Sequence, residues 1–271
     1  MNPVLPSPAG VPMRMAVTIA ALAPLLVVES FARGATWLAA LLSGIVLAWA
    51  LAWVSRSAQR QPRTPLPAQL DLVVIALLIA LLLPAGSSWM VACVAVSLAV
   101  LPGRAAYGGL GQALCHPAMV GLAGATLIFS GTAADAAGWS AWAAPATWLG
   151  ACVLVLRGIV AWRTPLAFLL GAAGAAAVLS PAGVSPLLAA LAVASHPAWV
   201  LGAFFIAGDT TTGCLHPRAR TAFGLGAGLM VVAFDHWQPA SGLPMAILAM
   251  NFVAPWLDQV LAKPMKKALA P

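Results

Sequence analysis

Long apolar runs, separated by short clusters of charge, proline and glycine, set the pattern of this chain. Ten runs are read near residues 15–29, 35–55, 70–84, 88–103, 117–130, 146–161, 165–180, 186–207, 221–235 and 242–261. Apolar positions are continuous within each run, whereas the strands of a membrane barrel alternate apolar and polar. Lipid offers the backbone no hydrogen-bond partner, so helix is the spanning structure left. A helix needs about 17–25 apolar residues to cross the hydrocarbon. The expected fold is therefore an all-α membrane protein of about ten transmembrane helices. Several runs are short for a full span, which predicts helices that are tilted, broken or supported by neighbours.

Composition strengthens this picture. Hydrophobic residues make up 62% of the 271 residues and charged residues 7%, against roughly a quarter charged in soluble domains. A single integral membrane domain, 1–271, uses the whole length, and no large extramembrane domain fits beside it. The start MNPVLPSPAGVPMRM has too few charges for a cleaved signal, so the run from Met15 is read as the first helix. The net charge of +7 is scattered among the connections and does not point to nucleic acid. Cys93, Cys115, Cys152 and Cys214 show no paired spacing, so no disulfide framework is expected.

The scattered basic residues instead fix an orientation. Arg56, Arg60 and Arg63, then Arg104, Arg157 with Arg163, Arg218 with Arg220, and Lys263, Lys266 and Lys267 all fall on one side of the predicted helices. The opposite connections, 130–145 and 235–242, hold Asp135 and Asp235 but no Lys or Arg. Positive charge is retained in short cytoplasmic loops, so both termini are expected in the cytoplasm. Two stretches also echo each other about a hundred residues apart. LLPAGSS (82–88) resembles LSPAGVS (179–185), and LCHPAMVGLAG (114–124) resembles LHPRARTAFGLG (215–226). They suggest two five-helix halves, 15–130 and 146–261, and transport folds place their sites where such repeats meet.

The apolar pattern breaks at two places that carry chemistry. In YGGLGQALCHPAMVG (107–121), Gly108, Gly109 and Gly111 weaken a helix by about 1 kcal/mol each relative to Ala. Pro117 suits the first turn of the next helix. An unwound segment leading into a helix start presents free N–H groups and a positive dipole end, with Gln112 and His116 beside it. The plainer alternative is a glycine-rich helix crossing. In FFIAGDTTTGCLHPRAR (204–220), Asp209, Thr211 and Thr212 end an apolar run, and Arg218 and Arg220 follow. Ionisable residues at membrane depth are candidate functional groups. Here the plainer alternative is a turn capped by Asp209, with the arginines as topology anchors.

Cys115 with His116 and Cys214 with His216 lie one pair in each break. If the breaks face each other, two thiolates and two imidazoles could hold zinc or an iron–sulfur cluster. Cysteine is also common in buried helices as a small hydrophobe, and the spacing matches no standard metal motif. His196 and His236, near loops, are expected to be interfacial, as are Glu29 and Asp71 at segment ends. Asp258 sits further inside the last helix, placed to pair with a cation or another helix. The tryptophans cluster near segment ends, as an interfacial belt.

At these motifs the chain resembles a known family, that of RnfD and NqrB. GAFFIAGDTTTGCLHPRARTAFGLGAGLMVV and the following LPMAILAMNFVAPWLD (243–258) look like the C-terminal region of RnfD, from the Rnf electron-transport complex. The same family includes NqrB, from the sodium-pumping NADH:quinone oxidoreductase. YGGLGQALCHPAMVG is similar to that family's YGGLGQNPFNPAMVG, with Ala113, Cys115 and His116 standing where the family has Asn, Phe and Asn. The resemblance, in order along residues 70–262, implies a flavin-bearing subunit of an electron-transport complex in the bacterial inner membrane, with other membrane subunits as partners. It implies FMN carried on a threonine of an S-G-A-T sequence. Here Ser130-Gly131-Thr132-Ala133 stands in its place and makes Thr132 the candidate ester oxygen. Riboflavin or a quinone held within the helices is the non-covalent version, with Gly108, Gly109, Gly111, Gln112, His116, Asp209, Thr211, Thr212, Arg218 and Arg220 as the contacts. No nucleophile–base pair is visible, so standalone catalysis is not expected. The competing readings are a transporter or channel for a small polar solute or flavin, and a scaffold subunit that binds nothing redox-active.

Overall fold

The computed structural model describes residues 10–60, 69–109, 112–129, 138–181, 183–209, 211–238 and 241–261. Every regular element among them is helical: α1 (Gly10–Ala58), α2 (Leu70–Leu82), α3 (Trp89–Val100), α4 (Pro117–Ile128), α5 (Ala143–Leu156), α6 (Arg163–Val178), α7 (Pro186–Ser195), α8 (Pro197–Leu201), α9 (Pro217–Trp237) and α10 (Gly242–Leu261). A 3₁₀ turn at Ala105–Tyr107 precedes α4, and a π-helical stretch, Gly202–Ala207, prolongs α8.

The first two expected segments are joined in α1, which breaks at Gly34 (φ 77°, ψ −173°), a conformation that favours glycine. The chain turns back there. Met15 lines the same cavity as Arg104, and Gln59 at the far end of α1 donates to the Ala105 carbonyl at 3.2 Å. Arg33 and Trp37, between them, lie at the opposite end of the molecule beside Leu83 and Pro84. With α7, α8 and the π-helical stretch taken as one bent segment, ten helical segments alternate between two ends, in the expected order.

Among the described residues, three helical stretches are long and apolar enough to cross a membrane alone: Gly10–Ala58, Trp89–Tyr107 and Gly242–Leu261. The pair Pro186–Ser195 and Pro197–Ala207, bent by 63°, adds a fourth. Several others are short. The 13 residues of α2 span about 20 Å at 1.5 Å each, less than the roughly 30 Å of a hydrocarbon core. Its neighbours cover it, and nine of those residues are buried, including Leu72, Leu78 and Leu81. Small residues allow such close packing, as at the crossing of α6 and α9, where a Cβ on Gly228 would run into the Phe168 carbonyl.

The two echoed stretches fold alike locally. After α2 and after α6 the chain turns through Gly86 (φ 86°) and Gly183 (φ 93°). Ser88 and Ser185 then stand at the N-cap positions of α3 and α7, and the Ser185 hydroxyl accepts from the Leu188 N–H at 3.2 Å. Each arm runs on into a break that ends at a His N-cap followed by Pro at the first helical turn: His116–Pro117 and His216–Pro217.

Candidate functional site between the two breaks

The breaks do face each other. Gly109, Ala113, His116 and Pro117 from the first line one cavity with Asp209, Thr211 and Thr212 from the second. Gly108 (φ 95°) and Gly109 (φ 113°) carry the chain through a left-handed turn after the 3₁₀ helix. Asp209 ends the π-helical stretch, its N–H donating to the Ile206 carbonyl at 3.0 Å. Its carboxylate accepts from the Thr211 N–H at 3.1 Å and from the Thr211 hydroxyl at 2.5 Å. That is the capped turn of the plainer alternative, placed at the cavity wall.

Two residues that sequence reasoning misses as site residues complete the cavity. Asp71, at the start of α2, and Arg104, before the 3₁₀ turn, are buried and form an ion pair. The sequence places Asp71 at the interface; the structure buries it with its partner instead. Asn251 of α10 joins the breaks. With its amide oriented to satisfy both neighbours, it donates to the Thr212 carbonyl at 3.1 Å and accepts from the His116 N–H at 3.0 Å. Its signal is the Asn of AILAMN, an amide inside an apolar helix that is 2% exposed. Such a group must find partners in the protein.

Other expected contacts lie elsewhere. Arg220 donates to the Cys214 carbonyl at 2.9 Å, bracing the second break from outside the cavity. Arg218 and Gln112 are exposed and do not line the cavity. Gly111 and Thr132 fall outside the described residues. Asp258 meets another helix, the second of the two expected partners. Its carboxylate accepts from the N–H groups of Leu215 (2.8 Å) and His216 (2.9 Å) at the start of α9, where a negative charge also suits the helix dipole.

The four candidate metal ligands do not assemble. Among the described residues no group of three or more His, Cys, Asp or Glu side chains gathers. Cys214 donates to the Ala254 carbonyl at 3.6 Å, and burial pushes its thiol up to about 12. Burial raises Cys115 as well. His216 is exposed.

The volume between the breaks is about 60 Å³. Cofactor pockets run from roughly 300 to 1,000 Å³, so a flavin ring does not fit there. A space of that size lies at the opposite end. A cavity of about 870 Å³ is lined by Arg33, Trp37, Leu41, Trp89, Val96 and Gly138. A smaller one of about 110 Å³ shares Arg33 and Gly138 and adds Thr126, Trp139, His196 and Asp235. Arg33 joins the two. It pairs with Glu29, which is fully buried, and donates to the Leu83 carbonyl at 3.1 Å. Its guanidinium lies 5.6 Å from the Trp37 ring and 5.1 Å from that of Trp139. Glu29 also accepts from the Ser140 N–H at 3.1 Å, so this carboxylate, expected at the interface, belongs to an internal network. Asp235 caps α10 at Gly242 (2.8 Å) and accepts from the Trp199 indole, on which His196 stacks.

The chain is similar to proteins named as the D-type component of an ion-translocating oxidoreductase complex. The relative from Pseudomonas paraeruginosa is 27% identical over 69% of this chain and 71% of its own. That from Sodalis glossinidius is 26% identical over 80% and 85%, and that from Methanosarcina acetivorans 28% over 71% of each. The profile of the NQR2, RnfD, RnfE family matches residues 1–146 and 128–266. With nearly the full length matched and both motif-bearing breaks inside it, this chain belongs to the NQR2, RnfD, RnfE family.

Proposed function

We propose that this protein is the D-type membrane component of an ion-translocating oxidoreductase complex. In this reading it sits in the bacterial inner membrane with both termini cytoplasmic, beside other membrane subunits, and relays electrons through a bound flavin, coupled to ion movement. Family membership carries the assignment to a complex. The single structural observation that favours a flavin is the cavity of about 870 Å³ beside Arg33, Trp37 and Trp89, within the range that holds a planar cofactor. Trp37 and Trp89 supply ring faces, and Arg33, already oriented by Glu29, supplies a cation beside them. FMN or riboflavin would bring the redox chemistry, and a quinone headgroup would also fit; the chain's own groups position the ring and exclude water. Gly138, at the rim of both cavities, follows the 130–137 segment that contains Thr132, the candidate point of covalent attachment.

The orientation follows from charge. Arg14, Arg56, Arg60, Arg104, Arg157, Arg163, Arg218 and Arg220 belong to segment ends on the side of the breaks, while Arg33 at the other end is neutralised by Glu29. That asymmetry supports breaks at the cytoplasmic face.

The test is the visible spectrum of the protein purified with its native partners, before and after acid precipitation. Flavin retained in the pellet, and lost in Thr132→Ala, supports the covalent site. Flavin released to the supernatant, and weakened by Trp37→Ala, supports non-covalent binding in the large cavity. Preparations without flavin would refute the cofactor reading and favour the transporter alternative, for which the two facing breaks are the specific support.

A further inference from the structure

Two polar atoms at the cavity between the breaks have no hydrogen-bond partner among the described residues: Oδ1 of Asp71 and Nδ1 of His116. Both residues line the cavity and are more than nine-tenths buried, at 5% and 6% exposed. Leaving such atoms bare costs roughly 1–3 kcal/mol each, so the space is suited to something polar. Its size of about 60 Å³ is room for a few waters, or one small cation.

The groups around the cavity decide between these. Asp71 (α2) and Asp209 bring two carboxylates; Arg104 and, from the end of α1, Arg56, which feels both Arg104 and Asp71, bring two guanidiniums. Asp71 is paired with Arg104 and Asp209 accepts from Thr211, so both carboxylates are already engaged rather than converging on a metal ion. Hard cations such as Mg²⁺ and Ca²⁺ also need about six oxygen ligands, whereas Nδ1 of His116 is a nitrogen. Threonine hydroxyls from the second break and the Asn251 amide from α10 are neutral. The neighbouring Cys115 thiol stays protonated. His116 is thus the neutral side chain lining this cavity that can take up a proton.

We propose that this cavity is a proton-loading site in which His116 takes up and releases a proton through enclosed water, so that the ion handled here is the proton. This rests on the reading of the chain as an ion-coupled subunit and names the ion. A proton delivered from cytoplasmic water, past Asp209 and Thr211 at the mouth, bonds to Nδ1 of the Nε2–H tautomer and gives an imidazolium. Asp209 stabilises that cation and burial opposes it. The proton leaves to the same water, and no electron moves. Burial holds His116 below its ordinary value, with Asp209 acting the other way, so the resting ring is neutral and gives its proton up readily. His116 stands where the resembling family motif has Asn, which cannot carry a proton. Its backbone role is independent of its side chain, since its N–H goes to Asn251 and its carbonyl to Met119 and Val120.

The chain holds only four histidines, so ¹⁵N-histidine magnetic resonance of the full chain in lipid can follow His116, identified by its loss in His116→Asn. Expected is a neutral-to-imidazolium transition with its midpoint below that of free histidine, unmoved by sodium and shifted lower in Asp209→Asn. A ring that stays neutral throughout acidification, or whose signal moves with sodium at constant pH, would overturn the proposal. This measurement needs no flavin and no partner, so its failure is separate from failure of the functional reading. In vesicles of the intact complex, His116→Asn should keep the cofactor spectrum and slow proton movement by roughly a hundredfold, the scale of losing a proton-transfer group. Wild-type proton movement in that variant would equally refute it.

Discussion

Replacing Arg104 by Gln leaves the Asp71 carboxylate buried without its counter-ion. Both side chains are nearly inaccessible, at 5% and 6% exposed, so water cannot take over. Removing one member of such a pair costs about 3–5 kcal/mol, against about 0–1 kcal/mol for a pair on the surface. Asp71→Asn strands the guanidinium and should cost a similar amount. The double variant removes both charges and leaves two amides facing each other, so its loss should fall short of the sum of the singles by about 2 kcal/mol or more. The assay is denaturant unfolding of the purified chain in mixed micelles, followed by tryptophan fluorescence for all four proteins. A loss of about 3 kcal/mol corresponds to roughly a 150-fold change in the unfolding constant, well within the resolution of such curves. If each single variant costs under about 1 kcal/mol and the losses add, the pair is hydrated and its burial is wrong.

Asn251→Leu keeps the volume and removes the bridge, stranding the Thr212 carbonyl and the His116 N–H. It should cost about 2–5 kcal/mol and raise the susceptibility of both breaks to proteolysis together, while independent opening would refute a shared brace. Asp258→Asn should weaken the start of α9 by about 1 kcal/mol, seen as faster hydrogen exchange at Leu215 and His216. Gly228→Leu should prevent α6 and α9 from closing, read as loss of folded protein on size exclusion, whereas Gly174→Ala, with open space around it, should be tolerated. Because burial lowers the affinity of folded His116 for a proton, the unfolded chain binds more protons as pH falls below 6.5. Stability should decline there and not above it, and His116→Asn should flatten that acid limb; an unchanged limb would assign the loss to other groups.

The apolar runs and their punctuation are enough to read ten helical segments, their alternation between two ends, and the two breaks, because lipid permits few solutions for a backbone. Gly108, Gly109, His116, Asp209, Thr211 and Thr212 are legible as one group for the same reason: polar and glycine-rich stretches inside apolar sequence have few other uses. What tertiary structure alone decided was partnership. Glu29 and Asp71 read as interfacial in a linear sequence because, although the i,i+4 spacing of Glu29 and Arg33 is local, nothing local reveals that this pair is buried, or that Arg104 folds back onto Asp71 from 33 residues away. Arg220 reads as a ligand group, yet its donor reaches a backbone carbonyl six residues earlier. Cavity volume is likewise invisible along the chain. Only packing shows that the breaks enclose about 60 Å³ and that the space wide enough for a flavin lies at the other end, about 870 Å³ beside Arg33. The pattern of solubility along the chain sets which segments cross the bilayer, while distances between side chains far apart in sequence set which charges are paired and what fits between them.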